Sequence, residues 1–132
     1  MPYLQLDVSK SYPVDIKKNL ARHMGELYAR IMQTTPNKVS VAIRELPEGS
    51  LWSCTDSEPT PGAVLMCDIR RGRPPEQRAE LAQALIEVCS EMLALSPEHL
   101  PVEFTQHDGD EMYRAGRGWS ADWSAAESQQ SL

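Results

Sequence analysis

The sequence predicts an α+β fold in which two tandem β-α-β units form one four-stranded mixed sheet, with both helices on one face. Three observations predict it. The chain matches itself without a gap at an offset of 61 residues. Each copy opens on alternating apolar residues, the period of a strand, and continues at a period near 3.6, that of a helix. Each copy then breaks at a proline-containing turn and returns as a second strand.

The repeat rests on identities. Leu4 falls on Leu65, Asp7 on Asp68, Pro13 on Pro74, Leu20-Ala21 on Leu81-Ala82, Glu26 on Glu87, Pro36 on Pro97 and Val41 on Val102. Val8 with Ile69 and Ile43 with Phe104 are similar pairs. Two copies are too few for a solenoid. In copy one, residues 2–46, YLQLDV puts Leu4, Leu6 and Val8 on one strand face. Pro13, a favoured first helical residue, opens a helix over about 13–33 with Ile16, Leu20, Met24, Leu27 and Ile31 on one side. TPNK breaks that helix, and VSVAIRE returns as a strand. Copy two, residues 63–107, repeats this with AVLMCDI, a helix over about 75–94, SPEH and LPVEFTQ. Parallel strands are required inside each unit. If a pseudo-two-fold axis relates the units, their first strands pair antiparallel. The sheet face away from the helices is then left for oligomerisation to cover. Residues 47–62 connect the copies; one domain is expected over 1–123, with a loosely docked, flexible tail over 124–132.

Composition narrows the function classes. The 132 residues are 41% hydrophobic and 24% charged, with a formal net charge of −6, which argues against a general nucleic-acid binder or a polybasic membrane module. No apolar run approaches the ~20 residues of a membrane helix, and no signal-peptide pattern opens the chain. Three cysteines without C-x-x-C spacing fit reduced thiols in a cytoplasmic protein. Cys67 and Cys89, in apolar stretches, read as core fillers. The three histidines lack metal-ligand spacing, and there is no P-loop or G-x-G-x-x-G, so neither metal nor cofactor is expected.

Two local features point to chemistry. Proline directly follows Met1, and removal of Met1 is expected to expose a secondary amine at Pro2. Its repeat partner, Ala63, is internal and offers no amine. RRGR at 70–73 closes the first strand of copy two, and antiparallel pairing brings that end beside Pro2. The partners of Arg70, Arg71 and Arg73 are Ser9, Lys10 and Tyr12, so one working site per chain is expected. The alternatives are a solvated basic turn or a small nucleic-acid patch. Arg73, in a polar turn before Pro74, is expected to contribute little to the core.

These features together resemble the tautomerase superfamily, whose members share β-α-β units and a catalytic amino-terminal proline. PNKVSVAIRELPEGSLW resembles the second strand and following loop of 4-oxalocrotonate tautomerases, and DIRRGRPPEQRAEL their turn and helix start. The fused chain is similar to those of the cis-3-chloroacrylic acid dehalogenase and malonate semialdehyde decarboxylase groups. The resemblance implies a homotrimer that binds a small carboxylate, with Pro2 catalytic, Arg73 and Arg70 favoured as substrate-binding, and Arg71 a further member of the cluster. Trp52 walls the pocket or anchors its loop; Tyr28 lies at a position that is histidine in the dehalogenase group, or simply packs; Arg117, in YRAGRGW, is placed to line the pocket. A tautomerase needs one group that accepts and then donates a proton near neutrality. Apolar surroundings and cationic neighbours lower an amine's basicity, and arginines orient carboxylates and stabilise enolate charge. The chain departs from the relatives that activate water or decarboxylate: Glu103 and Arg114 stand where the dehalogenase group has a tyrosine and a glutamate, and Asn37 where the decarboxylases have an aspartate. Ser40 replaces the strand arginine of the simple tautomerases. Enol-keto isomerisation of 2-oxo acids, of the 2-hydroxymuconate or phenylenolpyruvate type, needs the fewest parts and is the expected activity. A cofactor-free lyase or hydratase and a non-catalytic trimeric module are the alternatives.

Overall fold

The computed structural model describes residues 2–127; the expected loss of Met1 and the tail beyond 127 lie outside them. The repeat folds as predicted. Strand β1 (Tyr3–Val8), helix α1 (Val14–Met32) and β2 (Ser40–Glu45) form the first unit. After a small hairpin of β3 (Trp52–Ser53) and β4 (Thr60–Pro61), strand β5 (Val64–Arg70), helix α2 (Pro75–Leu93) and β6 (Val102–His107) form the second. Strands β7 (Tyr113–Arg114) and β8 (Gly118–Trp119) make a last short hairpin. The sheet order is β2-β1-β5-β6, parallel within each unit and antiparallel at the β1/β5 junction, where Gln5 faces Met66 and Tyr3 faces Asp68.

Alternation decides the faces. Leu4, Leu6 and Val8 of β1 and Leu65, Cys67 and Ile69 of β5 are fully buried under the helices. They meet Leu20, Met24, Tyr28 and Met32 of α1 and Leu81, Leu85, Cys89 and Leu93 of α2. The other sheet face carries Gln5, Met66 and two polar groupings. Arg44 makes a forked pair to Asp7 (2.7 and 2.9 Å), and Thr105 and His107 both reach Asp68 (3.0 Å each).

Helix α1 starts one residue later than expected, at Val14, and α2 starts at Pro75 as expected, so neither Pro13 nor Pro74 is itself helical. Pro13 and Pro74 keep extended ψ values of 148° and 162°, and their carbonyls accept the first helical bonds from Lys17 (3.1 Å) and Arg78 (3.2 Å). For Pro74 the cause is local: the ring of Pro75 excludes helical geometry from the residue before it. Both helices end on a left-handed residue other than glycine, Gln33 (φ 57°) and its repeat partner Ala94 (φ 55°).

The expectation that Arg73 contributes little to the core is overturned. It is 5% exposed, and its Nε (3.1 Å) and Nη2 (2.9 Å) both donate to the Met32 carbonyl at the end of α1. That carbonyl is one of those a helix leaves unpaired, at the negative end of its dipole, so a guanidinium is well matched to it. Tyr12 does the same work in the other unit. Its hydroxyl donates to the Leu93 carbonyl at 3.0 Å, and Tyr12 and Leu93 are the repeat partners of Arg73 and Met32. Each unit's strand-to-helix turn thus caps the other unit's helix.

Candidate active site

Beyond β5, the chain turns sharply at Gly72 (φ 134°), and the tail crosses this turn closely. A Cβ at Gly72 would stand 2.1 Å from the Trp123 carbonyl oxygen, so only glycine fits. The Trp123 amide donates to the Arg71 carbonyl (2.8 Å), and the Asp122 carboxylate accepts from the Gly109 amide (2.7 Å). Trp123 is 7% exposed, and the Arg73 guanidinium stacks 4.8 Å from the centre of its ring, with Tyr28 on another side at 5.8 Å. The residues up to 127 described here therefore lie against the domain.

This arrangement encloses a cavity of about 310 Å³. Pro2 lies at one side of it, just before the β1 residue that pairs with Asp68, so it sits close to the end of β5 where Arg70 projects. Tyr28 from α1, Arg73 from the turn and Lys38 from the single helical turn before β2 contribute further walls. The β7–β8 hairpin supplies Arg114, Arg117 and Trp119, and the tail supplies Ala121 and Glu127. Five cationic side chains thus share the cavity with one carboxylate, Glu127, and the cavity favours an anionic occupant.

The cations are not equivalent. Arg70 is engaged at both ends of its fork: Nη1 donates to the Ala121 carbonyl (2.9 Å) and Nη2 meets Glu127 Oε2 (2.5 Å). Arg73 is committed to Met32. Arg114, Arg117 and Lys38 make no side-chain hydrogen bond or ion pair among the described residues. The Tyr28 hydroxyl is buried with no hydrogen-bond partner among them, and a buried unpaired hydroxyl costs roughly 1–3 kcal/mol. Burial, only partly opposed by the Arg73 charge, pushes Tyr28 up to about 12, so it is a neutral donor at ordinary pH. Burial also lowers Arg73, against the favourable Tyr28 and Glu127 charges.

Of the residues singled out from sequence, Pro2, Tyr28, Arg70, Arg73 and Arg117 meet in this cavity, whereas Arg71 and Trp52 do not. Arg71 points to the opposite side of the strand end, where its Nε pairs with Asp108 at 2.8 Å and 53% of its side chain is exposed. Trp52 stands on the β3–β4 hairpin, 52% exposed, its indole donating to the Gly49 carbonyl at 2.9 Å. It therefore anchors its own loop. Lys38, Trp119 and Glu127 were not foreseen as lining residues. Glycines flanking Arg117 mark a hairpin in the sequence, but nothing local marks Glu127.

The second unit carries a matching cavity of about 240 Å³, lined by Ala63, Leu95, His99, Ser9 and Tyr12. These are the repeat partners of Pro2, Thr34, Lys38, Arg70 and Arg73. The pocket was duplicated; its amine and its arginines were not. Among the described residues, no group of three or more His, Cys, Asp or Glu side chains could hold a metal ion, and no helix is long and apolar enough to cross a membrane.

No protein-family model and no curated protein matches the chain. Solved structures do. Pt0534, in a structure inactivated by 2-oxo-3-pentynoate, is 25% identical with a TM-score of 0.77, covering 90% of this chain and 95% of its own. N1, a member of the cis-3-chloroacrylic acid dehalogenase family, is 20% identical with a TM-score of 0.81 over 98% and 92%. F6, a fused 4-OT in a wild-type asymmetric trimer, is 17% identical with a TM-score of 0.77 over 88% and 94%. With two β-α-β units joined antiparallel at their first strands and these structural neighbours, the chain is tautomerase-like: its fold is that of the tautomerase superfamily.

Proposed function

We propose that this protein is a cofactor-free tautomerase, in which the Pro2 amine moves a proton between the enol oxygen and a carbon of a small 2-oxo acid. One observation carries the reading: the position that supplies the amine lines the same cavity as a cluster of cations. The neutral amine takes the enol proton, electron density passes through the enolate, and the resulting ammonium returns a proton to carbon. The Arg117 and Arg114 side chains, which make no hydrogen bond or ion pair among the described residues, are matched to the substrate carboxylate. The Tyr28 hydroxyl is available to donate to the enolate oxygen, where it gains the partner it otherwise lacks. Arg73 holds the turn and adds positive charge. Enols of the 2-hydroxymuconate type, a dicarboxylate, and of the phenylenolpyruvate type, a monocarboxylate, both undergo this proton transfer, and a homotrimer is the assembly that the neighbouring fused 4-OT trimers favour.

The test is covalent. An ynone acid such as 2-oxo-3-pentynoate adds to a neutral amine: the nitrogen lone pair forms a bond to the distal alkyne carbon. The π electrons go to the adjacent carbon, which then takes the proton lost from nitrogen. The adduct is expected to carry the whole reagent mass, to lie on Pro2 in a chain lacking Met1, and to abolish enol turnover. A chain that retains Met1 has an amide at Pro2 and is expected to be neither labelled there nor active. Full turnover by such a chain would sink the mechanism.

A further inference from the structure

We infer that Glu127 is a specificity-determining residue that selects monocarboxylates over dicarboxylates by occupying Arg70; this rests on the reading of the cavity as a carboxylate-binding active site. Arg70 and Glu127 are 57 residues apart in sequence, yet the tail brings the carboxylate to the cavity wall, with 16% and 26% of the two side chains exposed. Both ends of the Arg70 fork are taken, one by Glu127 and one by the Ala121 carbonyl. Two of its five N–H donors are thus held by the protein itself, and its charge is already matched by a carboxylate.

An incoming carboxylate at that end meets two obstacles. It must displace Glu127 or share Arg70 with it, and two carboxylates on one partly buried cation repel each other. At the Arg114/Arg117 end no acidic side chain competes among the described lining residues. The cavity therefore presents one open carboxylate site and one that the protein fills itself. The remainder of the space is bordered by Trp119, Met112 and the Tyr28 ring, which suit an apolar or aromatic tail on the substrate.

Sorbate and trans,trans-muconate are suitable probes, because both are six-carbon dienes and differ only in whether the far end is methyl or carboxylate. Their dissociation constants are measured by calorimetry on the whole protein, so no turnover is needed. The wild type is expected to prefer sorbate. Glu127→Gln removes the charge and keeps the shape, and Glu127→Ala empties the position. In both, the muconate-to-sorbate affinity ratio is expected to rise by on the order of tenfold or more, the effect of gaining a charge-assisted bond. Adding Arg70→Ala to Glu127→Ala is expected to cancel that rise. Sorbate binding with an unchanged ratio in both single variants overturns the inference and leaves the tautomerase reading standing. Selectivity that shifts as stated in a protein without enol turnover supports the inference and removes the activity. Binding of neither acid to any form overturns both.

Discussion

Arg73 is one residue doing two physically distinct things. Its guanidinium closes the last turn of α1 through two bonds to Met32, and its flat face is stacked against Trp123, yet the same group lines the cavity. Removing it leaves a buried carbonyl without its donor and a void beneath the indole. We expect Arg73→Ala to lower stability by about 2–4 kcal/mol, from a lost charged hydrogen bond and a lost cation–π contact. Urea unfolding at matched protein concentration reads this directly. Arg73→Lys should recover only part, because an ammonium can reach the carbonyl but cannot lie flat on the ring. Arg71→Ala is the contrasting case. Its ion pair to Asp108 is more than half exposed at both partners, and a change within about 0.5 kcal/mol is expected. An Arg73→Ala protein as stable as the wild type would mean that the cap is made by Gln77, whose side-chain amide donates to the neighbouring Ile31 carbonyl at 2.9 Å.

The tail is an element held in two places of different chemistry. Around Trp123 it is fastened by a buried ring and by the backbone hydrogen bond to Arg71, beside the Asp122 carboxylate on the Gly109 amide. At Glu127 it is fastened by charge. Burial acts to raise the Glu127 carboxyl, but the Arg70 hydrogen bond and charge, with Lys38 and Arg73 beyond, hold it below its ordinary value. The sign follows: a carboxyl lowered in the docked state stabilises docking fully above its ordinary pKa and loses that contribution as pH falls through the lowered one. Acid should therefore release 124–127 while leaving Trp123 seated. Amide chemical shifts followed from neutral pH downward should show Glu127 moving with a midpoint below the usual carboxylate range, and Trp123 still. Glu127→Gln should flatten the first profile. Movement of both amides together would mean that the tail docks as one piece and that charge is not its local fastening.

At the scale of the whole molecule, the sheet was readable from sequence because duplication writes the same apolar spacing twice. Leu4, Leu6, Val8 and Leu65, Cys67, Ile69 each point to one face, and one antiparallel junction then orders all four main strands. The site was readable where it follows from that topology, as with Pro2 beside the end of β5. It was unreadable where contacts cross between units: RRGRP carries no sign that Met32 lies opposite, and SAAE looks like a solvated tail until Arg70 is seen to hold it. The same topology leaves the face with Gln5 and Met66 uncovered by helices, although Tyr3 there is 43% exposed and the hairpin presents Trp52 at 52%. A mixed sheet can leave one face in water, but Met66 at its centre and fused 4-OT trimers among its neighbours favour a second protomer there. We expect light scattering to give about three times the 14.8 kDa of one chain. Met66→Asp places a charge at the centre of that face, beside Gln5. On a solvated strand it would change stability little, whereas beneath another protomer an unpaired carboxylate is strongly unfavourable. The variant should therefore fall to the mass of one chain while retaining its helical circular dichroism. A variant that stays trimeric would move the interface to the Trp52 hairpin, where Trp52→Ser is the matching substitution.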